Sequence, residues 1–223
     1  MNILVFTAIK NLYLNTLAAI HQLEHEGPLA WLQLRDNPHA DPRANVTRAY
    51  NIARAIFLAG PYDALLTVEN DIVPPRGALR KLLKAETDIA YGLYCYRQPG
   101  HLWNAYTFNG LSLASQPALA RQVFDKVIPV RGYGLGCALI RRQVLQRLAF
   151  RFEPDQPGLH CDSHFGDDVH AADMTQVCDT SVLCGHIVNE HRMVYPDVAQ
   201  NPTVTGAIEW RFYRYEWGLT PKE

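Results

Sequence analysis

The stretch "LLTVENDIVPP", residues 65–75, decides how this chain is read. Ala64, Leu65, Leu66, Thr67 and Val68 form a strand-like apolar run that passes without a turn signal into Glu69, Asn70 and Asp71, and Pro74 and Pro75 then stop it. If the sheet is parallel, the crevice at the carboxyl ends of its strands is where ligands bind, so both carboxylates arrive at a binding rim. Two acids one residue apart can reach a shared cation, and hard carboxylate oxygens suit Mg²⁺ or Mn²⁺. The alternative is a solvated turn after an edge strand.

The flanking sequence favours the parallel sheet. Residues 2–8 (NILVFTA) and 29–34 (LAWLQL) read as strands, and 11–25 reads as a helix. Residues 35–43 are a polar loop with two prolines. Val46, Tyr50, Ala53 and Phe57 then recur at helical spacing within 44–59. After the acidic stretch a helix is expected over about 76–85, with leucines at 79, 82 and 83, and a strand over 88–95 (DIAYGLYC). This alternation predicts an α/β fold whose parallel sheet carries helices on both faces and whose strand ends share one rim. Beyond residue 100 the pattern loosens. Strands are expected at 102–113 and 123–131, and a glycine-rich approach, a short strand and a helix within 132–148 (GYGLGCALIRRQVLQRL). A loop over 153–166, a helical candidate in DDVHAADMTQV (167–177) and a strand over 180–187 (TSVLCGHI) follow. There is no repeat, low-complexity segment or linker, so residues 1–223 are expected to form one domain.

Composition narrows the partners. With 48% apolar residues in 223, the chain can bury a sizeable core. Its 21 basic and 22 acidic residues leave a formal charge of -1, which gives no global field for nucleic acid or an anionic membrane. Arg141, Arg142 and Arg147 remain a local basic patch. The start MNILVFTAIKNLYL lacks a basic leader and a small-residue cleavage site, and no run has the apolar length of a membrane span. Cys95, Cys137, Cys161, Cys178 and Cys184 lie far apart, so reduced packing thiols and a cytoplasmic location are expected. The Asn45-Val46-Thr47 sequon reads as a helix-capping neighbourhood.

Three segments together carry a resemblance: Glu69-Asn70-Asp71 at one strand end, Gly166-Asp167-Asp168 before a helix, and Cys184-Gly185-His186 at a later strand end. In this order the chain resembles the GT-A glycosyltransferases, particularly the bacterial and phage members of the large inverting family, over roughly residues 1–190. "RAYNIARAIFLAGPYDALLTVENDIVPP" is similar to the helix leading into that family's acidic metal motif. "GYGLGCALIRRQVL" looks like its glycine-rich segment, and "DTSVLCGHI" like its late strand ending in histidine.

The resemblance implies a GT-A (Rossmann-like) fold and transfer of a sugar from a nucleotide-sugar donor to an acceptor hydroxyl, of a glycan or another molecule, with inversion. Residues 1–100 would be the donor-binding half, 101–190 the acceptor and catalytic half, and 191–223 an aromatic extension with Trp210, Phe212, Tyr213, Tyr215 and Trp217. A divalent cation, Mn²⁺ or Mg²⁺, would neutralise the diphosphate as the glycosidic bond breaks. Asp71 would be its main ligand, with Glu69 and His186 assisting. Thr7, Ala8, Arg35, Asp36, Arg48, Asn51, Glu69 and Asn70 would surround the nucleotide sugar. Arg35, Asp36 and Asn37 depart from the aspartate pattern that reads uracil in many relatives, which leaves the base open. Asp167 and Asp168 stand where the family has its acidic pair, and Asp168 would be the general base.

Two other classes fit parts of the pattern. Sugar nucleotidyltransferases use a similar sheet and metal carboxylates, but "FTAIKNLYLNT" lacks the glycine-rich loop they carry after the first strand. A non-catalytic glycan-binding or zinc-binding domain would use Cys161, His164, Cys178, Cys184 and His186 as a structural site, although their spacing fits no standard pair of zinc knuckles.

Overall fold

The computed structural model describes residues 1–8, 13–35, 37–97, 103–106, 122–156, 158–189, 191–196, 207–211, 215–216 and 220–221. The first half runs β1 (Ile3–Ala8), α1 (Leu14–His21), β2 (Leu29–Leu34), α2 (Pro42–Ala59), β3 (Ala64–Val68), β4 (Ile72–Val73), α3 (Ala78–Lys84) and β5 (Ile89–Leu93). The second continues with β6 (Ala105–Tyr106), β7 (Val127–Pro129), β8 (Gly132–Tyr133), β9 (Cys137–Arg141), α4 (Arg142–Arg147) and α5 (Cys161–Ala171). It closes with β10 (Gln176–Leu183), β11 (Gly185–Asn189), β12 (Arg192–Pro196), β13 (Ala207–Arg211) and the small pair β14 (Tyr215–Glu216) and β15 (Thr220–Pro221).

A seven-stranded sheet of order β2-β1-β3-β9-β5-β10-β7 forms the core. β2, β1, β3, β5 and β10 run one way, while β9 and β7 are reversed. Every residue of β3 and β5 is buried, so both faces of the sheet are covered. This is the mostly parallel α/β sheet with helices on both faces that was expected, of the GT-A (Rossmann-like) type. Reversed β9 lies in the middle of this sheet, between β3 and β5. Thr67 pairs with Ala138 and Val68 with Cys137, so the start of β9 meets the end of β3. The glycine-rich approach therefore enters the sheet at the rim where Glu69 leaves it.

A second, antiparallel sheet of order β13-β12-β11-β4 stands on that rim. The strand expected at 180–187 is two strands in two sheets: β10 ends at Leu183, Cys184 donates its N–H to the Leu93 carbonyl at 2.8 Å, and β11 starts at Gly185. A Cβ on Gly185 would lie 2.2 Å from Met193 Sδ and 2.8 Å from Tyr195 Cζ, so any side chain there would have to displace those two from β12.

Two further expectations are corrected. The loop read over 153–166 ends early, because α5 begins at Cys161, and Gly166, Asp167 and Asp168 lie inside this helix rather than before it. The buried side chains Cys161, Phe165 and Val169 recur every fourth residue and fix the helix against the core despite its polar composition. Of the strand expected at 102–113, residues 103–106 are described and Ala105–Tyr106 forms a strand, and that over 123–131 shortens to Val127–Pro129.

α5 is drawn to the rim by a ladder of rings, with centroid separations of 5.1 Å for Phe6–Tyr50, 4.9 Å for Tyr50–Phe150 and 4.3 Å for Phe150–Phe165. α2 starts on an Asp41 cap, whose carboxylate accepts from Arg43 N at 2.8 Å, with Pro42 in its first turn. Its far end is closed by Arg142, whose guanidinium donates to the carbonyls of Phe57, Leu58, Gly60 and Tyr62. In return Arg54 of α2 donates to the carbonyls of Leu145 and Leu148 at the end of α4.

Candidate active site

The pairing of β4 with β11 sets the centre of the site. His186 lies opposite Ile72, and Ile187 N donates to the Asp71 carbonyl at 2.8 Å, which brings the imidazole beside the Asp71 carboxylate. His186 Nδ1 is 2.6 Å from the Cys95 carbonyl oxygen. A carbonyl only accepts, so Nδ1 carries the hydrogen and Nε2 is turned to Asp71 Oδ2, 3.5 Å away. Protonated at Nε2 as well, the ring is an ion-pair partner of the Asp71 carboxylate; neutral, it presents a lone pair beside that carboxylate, and the two side chains can then hold a cation together. Arg97 supplies one charge from the side, its Nη1 3.0 Å from the same Oδ2. Burial pushes the Asp71 carboxyl up, but His186 and Arg97 outweigh it and hold the group below its ordinary value.

Glu69 lies deeper. Burial, with the charges of Asp71 and Asp162, pushes its carboxyl up to about 8. The Tyr50 hydroxyl is 3.3 Å from Glu69 Oε1, so Glu69 turns towards α2 rather than joining Asp71 and His186. Its N–H donates to the Gly136 carbonyl at 3.0 Å, and Thr67 Oγ1 donates to the Leu135 carbonyl at 2.6 Å, which pins the glycine-rich approach beneath the acids. Gly136 N donates to the Tyr94 hydroxyl, which Asn104 also reaches. A Cβ on Gly134 would lie 1.9 Å from Asn104 Nδ2 and 2.1 Å from that hydroxyl, so this glycine is required by close approach. Tyr94 in turn stands edge-on to His186, 5.5 Å between ring centroids.

Asp162 stands in the first turn of α5 and accepts from Ser163 N at 2.7 Å. Its charge acts on Glu69, Tyr50, Tyr91 and Tyr94, and its own carboxyl is raised by burial, partly offset by bonds from Ser163. Asp168 instead receives Arg151 in a bidentate pair, Nε to Oδ2 and Nη2 to Oδ1, both 2.8 Å. Asp167 pairs with Arg131 at 3.1 Å.

The expected donor residues are placed more loosely. Thr7 and Ala8 end β1 at the same rim, but Thr7 is fully buried and its hydroxyl accepts from Trp31 Nε1 at 3.1 Å. Arg35 is exposed just beyond β2, and Asp36 lies outside the described residues. Arg48 is half-buried on α2. Asn51 uses both ends of its carboxamide on the backbone of Phe150, at 2.8 and 3.1 Å, and so ties α2 to the chain before α5. The Asn70 carbonyl accepts from Thr16 Oγ1 at 2.9 Å, an α1 contact that holds the acidic turn.

Asp162 and Arg97 were absent from the sequence reading. The Cys161-Phe165-Val169 spacing was the available signal for the first, and the position of Arg97 just past a core strand was the signal for the second. All five cysteines are buried and free. Among the described residues no three His, Cys, Asp or Glu side chains converge into an ion site, those of Cys161, His164, Cys178, Cys184 and His186 included. Asp71 and His186 fit a different ion: two donors, one oriented by a backbone carbonyl, with the other positions left to phosphate oxygens and water. No described helix is long and apolar enough to cross a membrane.

No protein-family model matches this chain, and no curated protein is similar to it in sequence. Among solved structures it is similar to A197 from STIV, with a TM-score of 0.63 and 19% identity over 88% of this chain and 91% of that one. This likeness shows a shared fold. The chain also matches S. aureus TarS 1-349 in complex with UDP, with a TM-score of 0.47 and 10% identity over 80% of this chain and 57% of that one. A further structure of S. aureus TarS 1-349 matches with a TM-score of 0.46 and 10% identity, over 80% of this chain and 58% of that one.

Proposed function

We propose that the chain is a metal-dependent glycosyltransferase that moves a sugar from a nucleotide-sugar donor to an acceptor hydroxyl with inversion. The observation that carries this reading is the Asp71–His186 pair, with the imidazole tautomer fixed by the Cys95 carbonyl, at the carboxyl rim of an α/β sheet. Bound there, Mn²⁺ or Mg²⁺ would act as a Lewis acid on the donor diphosphate. Asp71 and His186 would hold the ion, and Glu69 would sit beside it as a proton reservoir. In this reading Thr7 and Ala8 at the end of β1, Arg35 beyond β2, Asn70 beyond β3 and Arg48 of α2 would flank the nucleoside.

The general base in this reading is Asp162. It would accept the acceptor hydroxyl's proton as that oxygen bonds to the anomeric carbon and the bond to the diphosphate breaks. Burial lifts its carboxyl above the ordinary aspartate value, the direction that favours a base. The earlier choice, Asp168, has both oxygens occupied by Arg151, and Asp167 is occupied by Arg131.

The test is turnover on a panel of nucleotide sugars with Mn²⁺, with product configuration read by NMR. Asp162→Asn should lower turnover by about 10²-fold or more with nucleotide binding kept, while Asp168→Asn should change it little. The reverse order would return the base to Asp168, and a retained anomeric configuration would remove the base role from both. Pyrophosphate release from a nucleoside triphosphate and a sugar phosphate would instead identify a nucleotidyltransferase.

A further inference from the structure

Arg97 shares one carboxylate edge with the site just described. Its Nη1 is 3.0 Å from Asp71 Oδ2, the oxygen that also faces His186 Nε2 at 3.5 Å. A divalent cation held by Asp71 and His186 would need this oxygen and would bring like charge against the guanidinium, so the two cannot share the edge at low cost. The ion pair is lopsided: the Asp71 side chain is 12% exposed and that of Arg97 46%. The carboxylate is therefore fixed and the guanidinium is the partner able to leave, because a half-solvated ion pair is worth little. An arginine released at this rim has a specific use. A diphosphate leaving group departs with one more negative charge than the intact donor, and the planar guanidinium fork matches phosphate oxygens.

We propose that Arg97 is a place-holder for the metal, occupying Asp71 until a divalent cation arrives and then turning to the donor's diphosphate. It is then a catalytic residue of the transfer rather than a structural ion pair. The proposal rests on the donor reading above. It also predicts opposite effects of one substitution on two ligands, which a purely structural role would not produce.

The experiment compares the parent with Arg97→Gln and Arg97→Lys. Mn²⁺ binding is followed by the electron paramagnetic resonance of free Mn²⁺, first alone and then with methylenediphosphonate, a base-free diphosphate mimic. Without the diphosphonate, Arg97→Gln should bind Mn²⁺ roughly two- to five-fold more tightly than the parent. With Mn²⁺ saturating, the same variant should bind the diphosphonate about tenfold more weakly, and Arg97→Lys should fall between. Equal, measurable Mn²⁺ affinity in parent and Gln variant would overturn the place-holder and leave the metal reading standing. No Mn²⁺ uptake by either would overturn both. Diphosphonate binding that needs Arg97 but no Mn²⁺ would mean the arginine replaces the ion, which also overturns the proposal.

Discussion

Glu69 is protonated in the fold over a range where an ordinary glutamate is not. Burial and its acidic neighbours move it from the ordinary 4.5 to about 8. Between these values the folded chain holds a proton that the unfolded chain has lost, so stability falls as pH rises through this window. Glu69→Gln keeps the shape without the titration. Its melting temperature should exceed the parent's, by a gap that widens from pH 5 to pH 8. A gap independent of pH would show that Glu69 is not the group responsible. Destabilising acids of this kind are kept where function uses them. At this scale Asp71 was legible because it follows the apolar run Ala64–Val68; His186 was read as a strand end but lies inside β11, whose pairing with β4 brings it within 3.5 Å of Asp71. The choice among Asp162, Asp167 and Asp168 was not legible, since it turns on where α5 begins, and Cys161-Asp162-Ser163-His164 carries weak helix propensity.

Two helices lock each other's ends. Arg142, first residue of α4, gathers four carbonyls at the end of α2, and Arg54 of α2 gathers two at the end of α4. A lysine cannot serve several divergent carbonyls from one ammonium, so Arg142→Lys should cost most of what Arg142→Ala costs, about 1–3 kcal/mol by urea denaturation. Near-complete rescue by lysine would mean that charge rather than the fork does the work. Gly134→Ala should be costly in a different way, because its methyl would overlap Asn104 and Tyr94. The displaced Tyr94 ring should disturb His186, so Mn²⁺ binding by this variant should fall along with its denaturation midpoint. The helices α2 and α3 and the strands β1, β2, β3 and β5 were legible from apolar period, whereas the short β4 was not. The division of residues 176–189 between two sheets was not legible, because nothing in a continuous apolar run marks a change of partner.

Taken whole, the molecule is a large sheet whose rim carries a smaller one, and the candidate site lies at their junction. A ligand that binds only the folded chain raises its melting temperature, so Mn²⁺ and a matching nucleoside diphosphate together should add roughly 5–10 °C at about a hundredfold excess over Kd. Either alone should add less, and Asp71→Ala should abolish the joint increment. Fold class was legible because alternating strand and helix patterns admit few architectures; the reversal of β9 was not, since direction in a sheet is set by distant partners. That reversal has a consequence for synthesis. β3 must wait for residues 137–141 before its second edge is covered, and β5 cannot dock until β9 is in place. At a translation rate of roughly 5–20 residues per second, the apolar edge Ala64–Val68 stays open on the ribosome for about 4–15 s. During that interval the nascent chain is a target for chaperones and for pairing with other nascent chains.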